Sequence, residues 1–147
     1  MITRSALVAV ARRWVGTPYH HQARLRGIGV DCAGLIAAVG HDAGVLPDLD
    51  REAWKPIARY GRQPNPKHMA AVLRRFLFQI DESPLIGDVA WIEWREGLPM
   101  HLAILADLDG RPMIIHALGE AGEVVEHDFS SEWQDRVVGW WRYPGLI

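Results

Sequence analysis

The single cysteine of this sequence, Cys32, is the residue best suited to act as a nucleophile. It follows Asp31, a residue type that often caps helices. A thiol in the first turn of a helix lies near the positive end of the helix dipole and near unpaired backbone N–H groups, which favour the reactive thiolate. The small residues Ala33 and Gly34 leave space for a substrate beside the sulfur. An inert, buried cysteine is the alternative, since cysteine is among the most buried residue types.

Two histidines in the segment HLAILADLDGRPMIIHA are brought together if that segment forms a hairpin. Asp109-Gly110 favours a two-residue turn, because both residue types tolerate positive φ. With these two residues as the loop, Ala103 faces His116, and His101 becomes a diagonal neighbour of His116 on the same face. Diagonal Cβ atoms lie about 7–8 Å apart or less, so the imidazoles can meet. One can serve as a general base and the other can orient it; two ordinary strand histidines are the alternative.

The elements that must position these residues are predicted as helices first and strands afterwards. Thr3 is expected to cap a helix, a second helix to begin at Asp31 and close at Gly44, and a third to be capped by Asn65. The apolar stripe of the third helix is expected to reach Ile80. Residues 45–64 are expected to form a loop. Strands are expected at residues 88–94, 101–106, 112–117, 123–127 and 137–143. This order favours an α+β fold in which the helices pack on an antiparallel sheet.

Composition limits the functions that the chain can have. Its 147 residues suit a single domain, predicted here as residues 1–147, and 49% of them are hydrophobic. The net charge of -2 is too near zero to predict a nucleic-acid partner. One cysteine cannot form an internal disulfide or a multi-thiolate metal site, and no metal or cofactor is predicted. The N-terminus lacks the pattern of a signal peptide, and no run is long enough for a membrane span.

Several motifs in the chain together resemble the NlpC family of papain-like cell-wall cysteine peptidases. The stretch GTPYHHQARLRGIGVDCAGLI resembles the nucleophile region of that family. PLIGDVAWIEW looks like the segment that leads into its first core strand, HLAIL like its catalytic-histidine strand, and MIIHA like the strand with its third polar residue. The order Cys, His, His matches, and the matches reach from about residue 14 to residue 117.

The resemblance implies a role for each matching residue. Cys32 is the nucleophile, His101 the general base and His116 the residue that orients the base. Tyr19 matches a tyrosine that helps to position or polarise the scissile carbonyl, and Asp31 matches a residue that in some members helps to bind the free amine of the wall peptide.

Two features depart from the family pattern. Ala33 replaces the usual serine after the cysteine, and HHQARLRGIG replaces the usual short Gly-Gly loop after the tyrosine. Both departures concern residues that affect which bond is preferred, and neither changes the nucleophile.

The form GTPY-x-HQA followed by G-x-G-x-DC-x-GL is more similar still to one branch of the family. This branch comprises small peptidases encoded among the tail genes of phages and of phage-like gene transfer agents. This implies an enzyme that cleaves peptidoglycan stem peptides, by resemblance at the bond between D-glutamate and a diamino acid. It also implies tail-hub partners, a cytoplasmic location until assembly into a particle, and action in the periplasm or cell wall of the target cell. The alternatives are a structural tail-hub or plug subunit with little activity, and an acyltransferase or amidase with the same three residues.

Other residues with reactive or aromatic side chains are assigned to the surface or the core. His41, His68 and His127 are expected to face solvent, and the adjacent His20 and His21 are not expected to bind metal. Trp14, Trp91 and Trp140 are expected in the core. The sequence does not distinguish whether Trp94, Trp133 and Trp141 line a cleft or a protein interface.

Overall fold

The computed structural model describes residues 1–47, 66–95 and 98–147. The helices are α1 Arg4–Arg12, α2 Cys32–Asp42, α3 Pro66–Phe76 and α4 Ser131–Gln134. The strands are β1 Arg24–Leu25, β2 Gly29–Val30, β3 Phe78–Ile80, β4 Val89–Arg95, β5 Leu98–Leu108, β6 Arg111–Leu118, β7 Glu123–Asp128 and β8 Val137–Arg142. Strands β1 and β2 form a small hairpin, and the other six form an antiparallel sheet in the order β3-β8-β4-β5-β6-β7. The predicted α+β architecture is confirmed.

Helix α1 begins where the sequence predicts, because the Thr3 hydroxyl accepts a hydrogen bond from the backbone N–H of Ala6 at 3.1 Å. This cap pairs one of the four N–H groups that have no partner inside a helix. The apolar side chains Leu7, Val10 and Ala11 of α1 are buried against α2 and the sheet. Trp14, just beyond the helix, is buried as expected, and its indole N–H donates to Asp42. The hydrogen-bonded cap and the buried apolar side chains therefore both agree with the predicted helix.

The hairpin between β5 and β6 has the predicted register. Asp109 and Gly110 both have positive φ, 52° and 83°, as a two-residue turn of this kind requires. Asp107 faces Pro112 and Ile104 faces Ile115, so the pairing continues without a shift along the paired residues. This register places alternate residues of both strands on a common face of the sheet.

Some predicted elements differ from the structure. Ile80 lies in strand β3 and not on the third helix, because α3 ends at Phe76 and the chain then pairs with β8. Strands β1, β2 and β3 and helix α4 were not predicted, since elements of two to four residues have too little periodicity to detect. The predicted cap Asn65 and most of the 45–64 loop lie outside the described residues.

Asp88 ties the start of α1 to the sheet through two arginines. Its fully buried carboxylate accepts from Arg4 at 3.0 Å, from Arg142 at 2.8 and 2.9 Å, and from the backbone N–H of Leu85 at 2.9 Å. Burial raises the pKa of the Asp88 carboxyl, but these hydrogen bonds outweigh it and hold the pKa below its usual value.

Replacing Asp88 with asparagine is expected to lower the free energy of unfolding by about 3 kcal/mol, because the partly buried guanidinium groups of Arg4 and Arg142 then lose the Asp88 charge, while Arg142 keeps its ion pair with Glu82. Urea denaturation followed by circular dichroism measures this change. Glu132→Gln serves as the control, since Glu132 pairs with Arg136 on the exposed surface and is expected to change stability by less than about 0.5 kcal/mol. Equal effects from the two substitutions would contradict the structural role of Asp88.

Candidate active site

Cys32 occupies the first position of α2, and Asp31 fixes that position. One carboxylate oxygen of Asp31 caps the helix by accepting from the Gly34 N–H at 2.8 Å, and the other accepts from the Gln22 N–H at 2.7 Å. Gly34 is required here, because a Cβ at this residue would lie 2.5 Å from the carbonyl oxygen of Ala23. Asp31 is almost fully buried and joins the helix start to the preceding loop.

The thiol of Cys32 is half-buried and faces the backbone of strand β5. It donates to the Met100 carbonyl oxygen at 3.8 Å. Burial raises the pKa of Cys32 to about 12, and the nearby Asp31 carboxylate raises it as well. Backbone N–H groups, including that of Leu102, lower the pKa but do not compensate. Burial of the thiol thus opposes the effect of the helix start, which by itself favours the thiolate.

His101 and His116 meet on one face of the hairpin, as the register predicted. Nε2 of His101 lies 2.5 Å from Nδ1 of His116, and both side chains are buried. Burial lowers the pKa of His101 to about 4, with the charge of His127 as a smaller cause. Burial likewise lowers the pKa of His116 to about 2, with smaller effects from the other two histidines. Both rings are therefore neutral at pH 7 and can act as acceptors or bases.

His127 extends this pair into a row of three imidazoles. Its Nε2 lies 2.8 Å from Nε2 of His116, and its Nδ1 lies 2.9 Å from the carbonyl oxygen of Asp128. The expectation that His127 faces solvent is wrong, since the side chain is only partly exposed and is hydrogen-bonded. Strand β7 pairs with β6 so that His127 faces Ile114, which makes it a diagonal neighbour of His116. Continuing the two-residue periodicity from β6 into β7 is the signal that could have found it.

Trp133, from helix α4, covers the row of histidines. Its ring centroid lies 5.0 Å from that of His116, 5.4 Å from that of His127 and 6.4 Å from that of His101. The Arg136 guanidinium lies over Trp133 at 5.1 Å from the ring centroid. Trp133 is thus packed on the imidazoles, whereas Trp141 is buried in the core beside Trp91.

Cys32, His101 and Tyr19 border one cleft of about 400 Å³. Its lining comprises Tyr19, Cys32, Trp94, Met100, His101, Ala117, Gly119 and Glu120. Burial raises the pKa of Tyr19 to about 12, with Cys32 and Asp31 as smaller causes, so the phenol stays protonated and can donate a hydrogen bond. Asp31 and His116 are not part of the lining. Asp31 precedes Cys32 as the cap of α2, and His116 contacts His101. Within the described part of the chain, no hydrogen bond joins Cys32 directly to His101.

Among residues 1–47, 66–95 and 98–147, no group of three or more His, Cys, Asp or Glu side chains is placed to hold a metal ion. The same residues contain no helix that is long and apolar enough to cross a membrane.

Acidification is expected to destabilise the fold through the two buried histidines. The unfolded chain, with ordinary histidine pKa values near 6.5, binds more protons than the folded chain, so the free energy of unfolding falls as pH drops below about 6.5. Between pH 7 and pH 5 the expected loss in the free energy of unfolding is about 2 to 4 kcal/mol.

Urea denaturation at pH 7, 6 and 5 measures this loss. His116→Asn should flatten the dependence, whereas substituting the exposed His41 with asparagine should not; an unchanged slope in His116→Asn would contradict the assignment.

Solved structures share this fold. An NLP/P60-family protein similar to lipoproteins from Staphylococcus aureus matches with a TM-score of 0.58 and 22% identity, over 96% of this chain and 41% of that one. The NlpC/p60 domain of the peptidoglycan hydrolase SagA matches with a TM-score of 0.54 and 20% identity, over 95% and 97% of the two chains. An N-acetylmuramoyl-L-alanine amidase from Bacteroides uniformis matches with a TM-score of 0.60 and 15% identity, over 95% and 98%.

No family model and no curated protein matches the sequence. The chain spans less than half the length of the Staphylococcus aureus protein and nearly all of the SagA domain. At these identities the likeness establishes the fold, which is the papain-like α+β fold of NlpC/P60 structures, as the sequence predicted.

Proposed function

We propose that this protein is a cysteine peptidase that hydrolyses the stem peptides of bacterial peptidoglycan. The observation that carries the proposal is the cleft bordered together by a thiol, an imidazole and a phenol on Cys32, His101 and Tyr19. Further support comes from the fold, which this chain shares with the NlpC/p60 domain of the peptidoglycan hydrolase SagA. By the resemblance of its motifs, the scissile bond is the one between D-glutamate and a diamino acid.

The proposed reaction starts from a neutral thiol and a neutral imidazole. The pKa of Cys32 is raised and that of His101 is lowered, which disfavours a thiolate–imidazolium pair at rest. When the thiol leaves the Met100 carbonyl and turns into the cleft, His101 accepts its proton while the sulfur attacks the peptide carbonyl. His116 lies behind His101 and stabilises the imidazolium that forms.

The oxyanion of the tetrahedral intermediate needs hydrogen-bond donors. The backbone N–H of Cys32, in the first turn of α2, and the protonated Tyr19 hydroxyl are the proposed donors. His101 then protonates the leaving amine, and water releases the acyl group from the sulfur. The resemblance assigns Asp31 a part in binding the free amine of the peptide, but its carboxylate is buried, caps α2 and does not line the cleft in this structure.

The proposed setting is a phage-like tail. The similarity of the GTPY and DCAGL motifs to peptidases encoded among tail genes supports a protein that stays in the cytoplasm until assembly, joins tail-hub proteins and acts in the cell wall of the target cell. Detection of the protein in purified particles from producing cells, by mass spectrometry, tests this setting.

An amidase that cleaves between muramic acid and L-alanine is a second candidate. The observation that favours it is the Bacteroides uniformis structure, which shares the fold and is described as an N-acetylmuramoyl-L-alanine amidase. The two activities release different products, because an amidase frees intact stem peptides whereas the proposed peptidase cuts within them.

Mass spectrometry of defined peptidoglycan fragments, incubated with the wild-type protein and with Cys32→Ala, tests the proposal. The expected products are a shortened muropeptide that retains D-glutamate and a released peptide that begins with the diamino acid. Release of the intact stem peptide would identify the amidase instead. Fragments left unchanged by the wild-type protein would overturn both activities.

A further inference from the structure

His127 lies next to the proposed catalytic pair but outside the cleft. Its ring meets His116, which in turn meets His101, and the three rings form a continuous row across strands β5, β6 and β7. The row ends at a backbone carbonyl, that of Asp128, which lies 2.9 Å from Nδ1 of His127.

That carbonyl determines where the hydrogens of the row lie. A carbonyl oxygen can only accept, so Nδ1 of His127 carries a hydrogen. In a neutral ring, Nε2 of His127 is then an acceptor, and the hydrogen between the two facing Nε2 atoms belongs to His116. Nδ1 of His116 is therefore an acceptor as well, and Nε2 of His101 donates to it across 2.5 Å.

The consequence falls on the last ring of the row. A neutral His101 with its hydrogen on Nε2 has an unprotonated Nδ1, the nitrogen that is able to accept a proton. The opposite arrangement would place the lone pair of His127 Nδ1 against the carbonyl lone pairs and would put a hydrogen on Nδ1 of His101. A neutral His101 ring with its hydrogen on Nδ1 accepts from His116 at Nε2, so it has no free nitrogen to act as a base.

We propose that His127 is a positioning residue, whose hydrogen bond to the Asp128 carbonyl sets the tautomers of His116 and His101 and keeps Nδ1 of His101 free to act as the base. This inference rests on the proposed function for its effect on turnover, but the tautomers themselves can be observed without any substrate. Trp133, packed against all three rings, holds the row in contact.

Two substitutions of opposite hydrogen-bonding character separate this role from a purely structural one. Glutamate at position 127 can only accept from Nε2 of His116, so His127→Glu preserves the tautomers and is expected to keep most of the turnover. Lysine can only donate, so His127→Lys reverses them and is expected to lower kcat about 10- to 100-fold with little change in KM. The exposed His41 provides a control, since His41→Lys should leave turnover unchanged.

Long-range ¹H–¹⁵N correlation spectra of protein labelled at histidine report the tautomers directly. The expected wild-type result is a hydrogen on Nε2 of His101 and His116 and on Nδ1 of His127, with His101 switched to Nδ1–H in His127→Lys. A wild-type His101 with its hydrogen on Nδ1, or equal losses of kcat in His127→Glu and His127→Lys, would overturn the proposal. If the wild-type protein leaves peptidoglycan intact, the proposed function fails, and the spectra alone still decide the role of His127.

Discussion

Cys32→Ala is expected to abolish peptidoglycan hydrolysis, with a loss of at least about 10⁴-fold, because it removes the only thiol of the chain and with it the proposed nucleophile. The remaining lining groups include a phenol with a pKa of about 12, which stays protonated and is a poor nucleophile at neutral pH. Substrate binding does not depend on the sulfur, so the variant should still bind stem peptides. Release of soluble fragments from purified cell walls measures the loss.

The same substitution is expected to change the free energy of unfolding by less than about 1 kcal/mol. The thiol is only half-buried, and its hydrogen bond to the Met100 carbonyl, at 3.8 Å, is weak. The cap of α2 comes from Asp31 and not from Cys32, so the helix start is retained. Circular dichroism during urea denaturation checks this, and it separates loss of chemistry from loss of fold.

Ala33→Ser is the matched control for this experiment. It alters the neighbouring residue in the same helical turn and restores the serine that is usual in the family that the motifs resemble. Hydrolysis within about threefold of wild type is expected, since the added hydroxyl leaves the sulfur and the imidazole in place. Hydrolysis that persists in Cys32→Ala at the level of this control would refute the assignment of the nucleophile.

The features that the sequence predicted well depend on residues close together in the chain. Thr3 and Asp31 cap their helices through hydrogen bonds to residues three positions later, and such local signals survive whatever the tertiary structure is. Asp109-Gly110 fixes the β5–β6 register through the same kind of local constraint, and with it the meeting of His101 and His116.

The features that the sequence did not predict depend on distant segments. The raised pKa of Cys32 comes from burial against strand β5, nearly half the chain away from it, where Met100 contacts the sulfur. A helix start by itself favours the thiolate, and only the tertiary structure shows the burial that opposes this effect. His127 was missed for a similar reason, because the β6–β7 connection has no two-residue turn signal that fixes the register.

The two central histidines are expected to differ in how much catalysis they supply. His101→Ala removes the proton acceptor of the cleft, and positioned general bases contribute typically 10²- to 10⁴-fold. We therefore expect a loss of about 10³-fold in kcat/KM. His116→Asn removes one ring from the row, but its amide can still accept from Nε2 of His101. A loss of about tenfold is expected there, which corresponds to one weakened hydrogen bond.

The ranking of these variants tests the roles more sharply than either loss alone. His116 is fully buried and His101 nearly so, and therefore both substitutions can lower stability; the rates must be compared at a temperature where circular dichroism shows each variant folded. Under that condition the order follows from chemistry: His101 borders the cleft that holds the thiol, whereas His116 acts only through His101. If His116→Asn proved the more damaging of the two, the roles assigned to the two histidines would be contradicted.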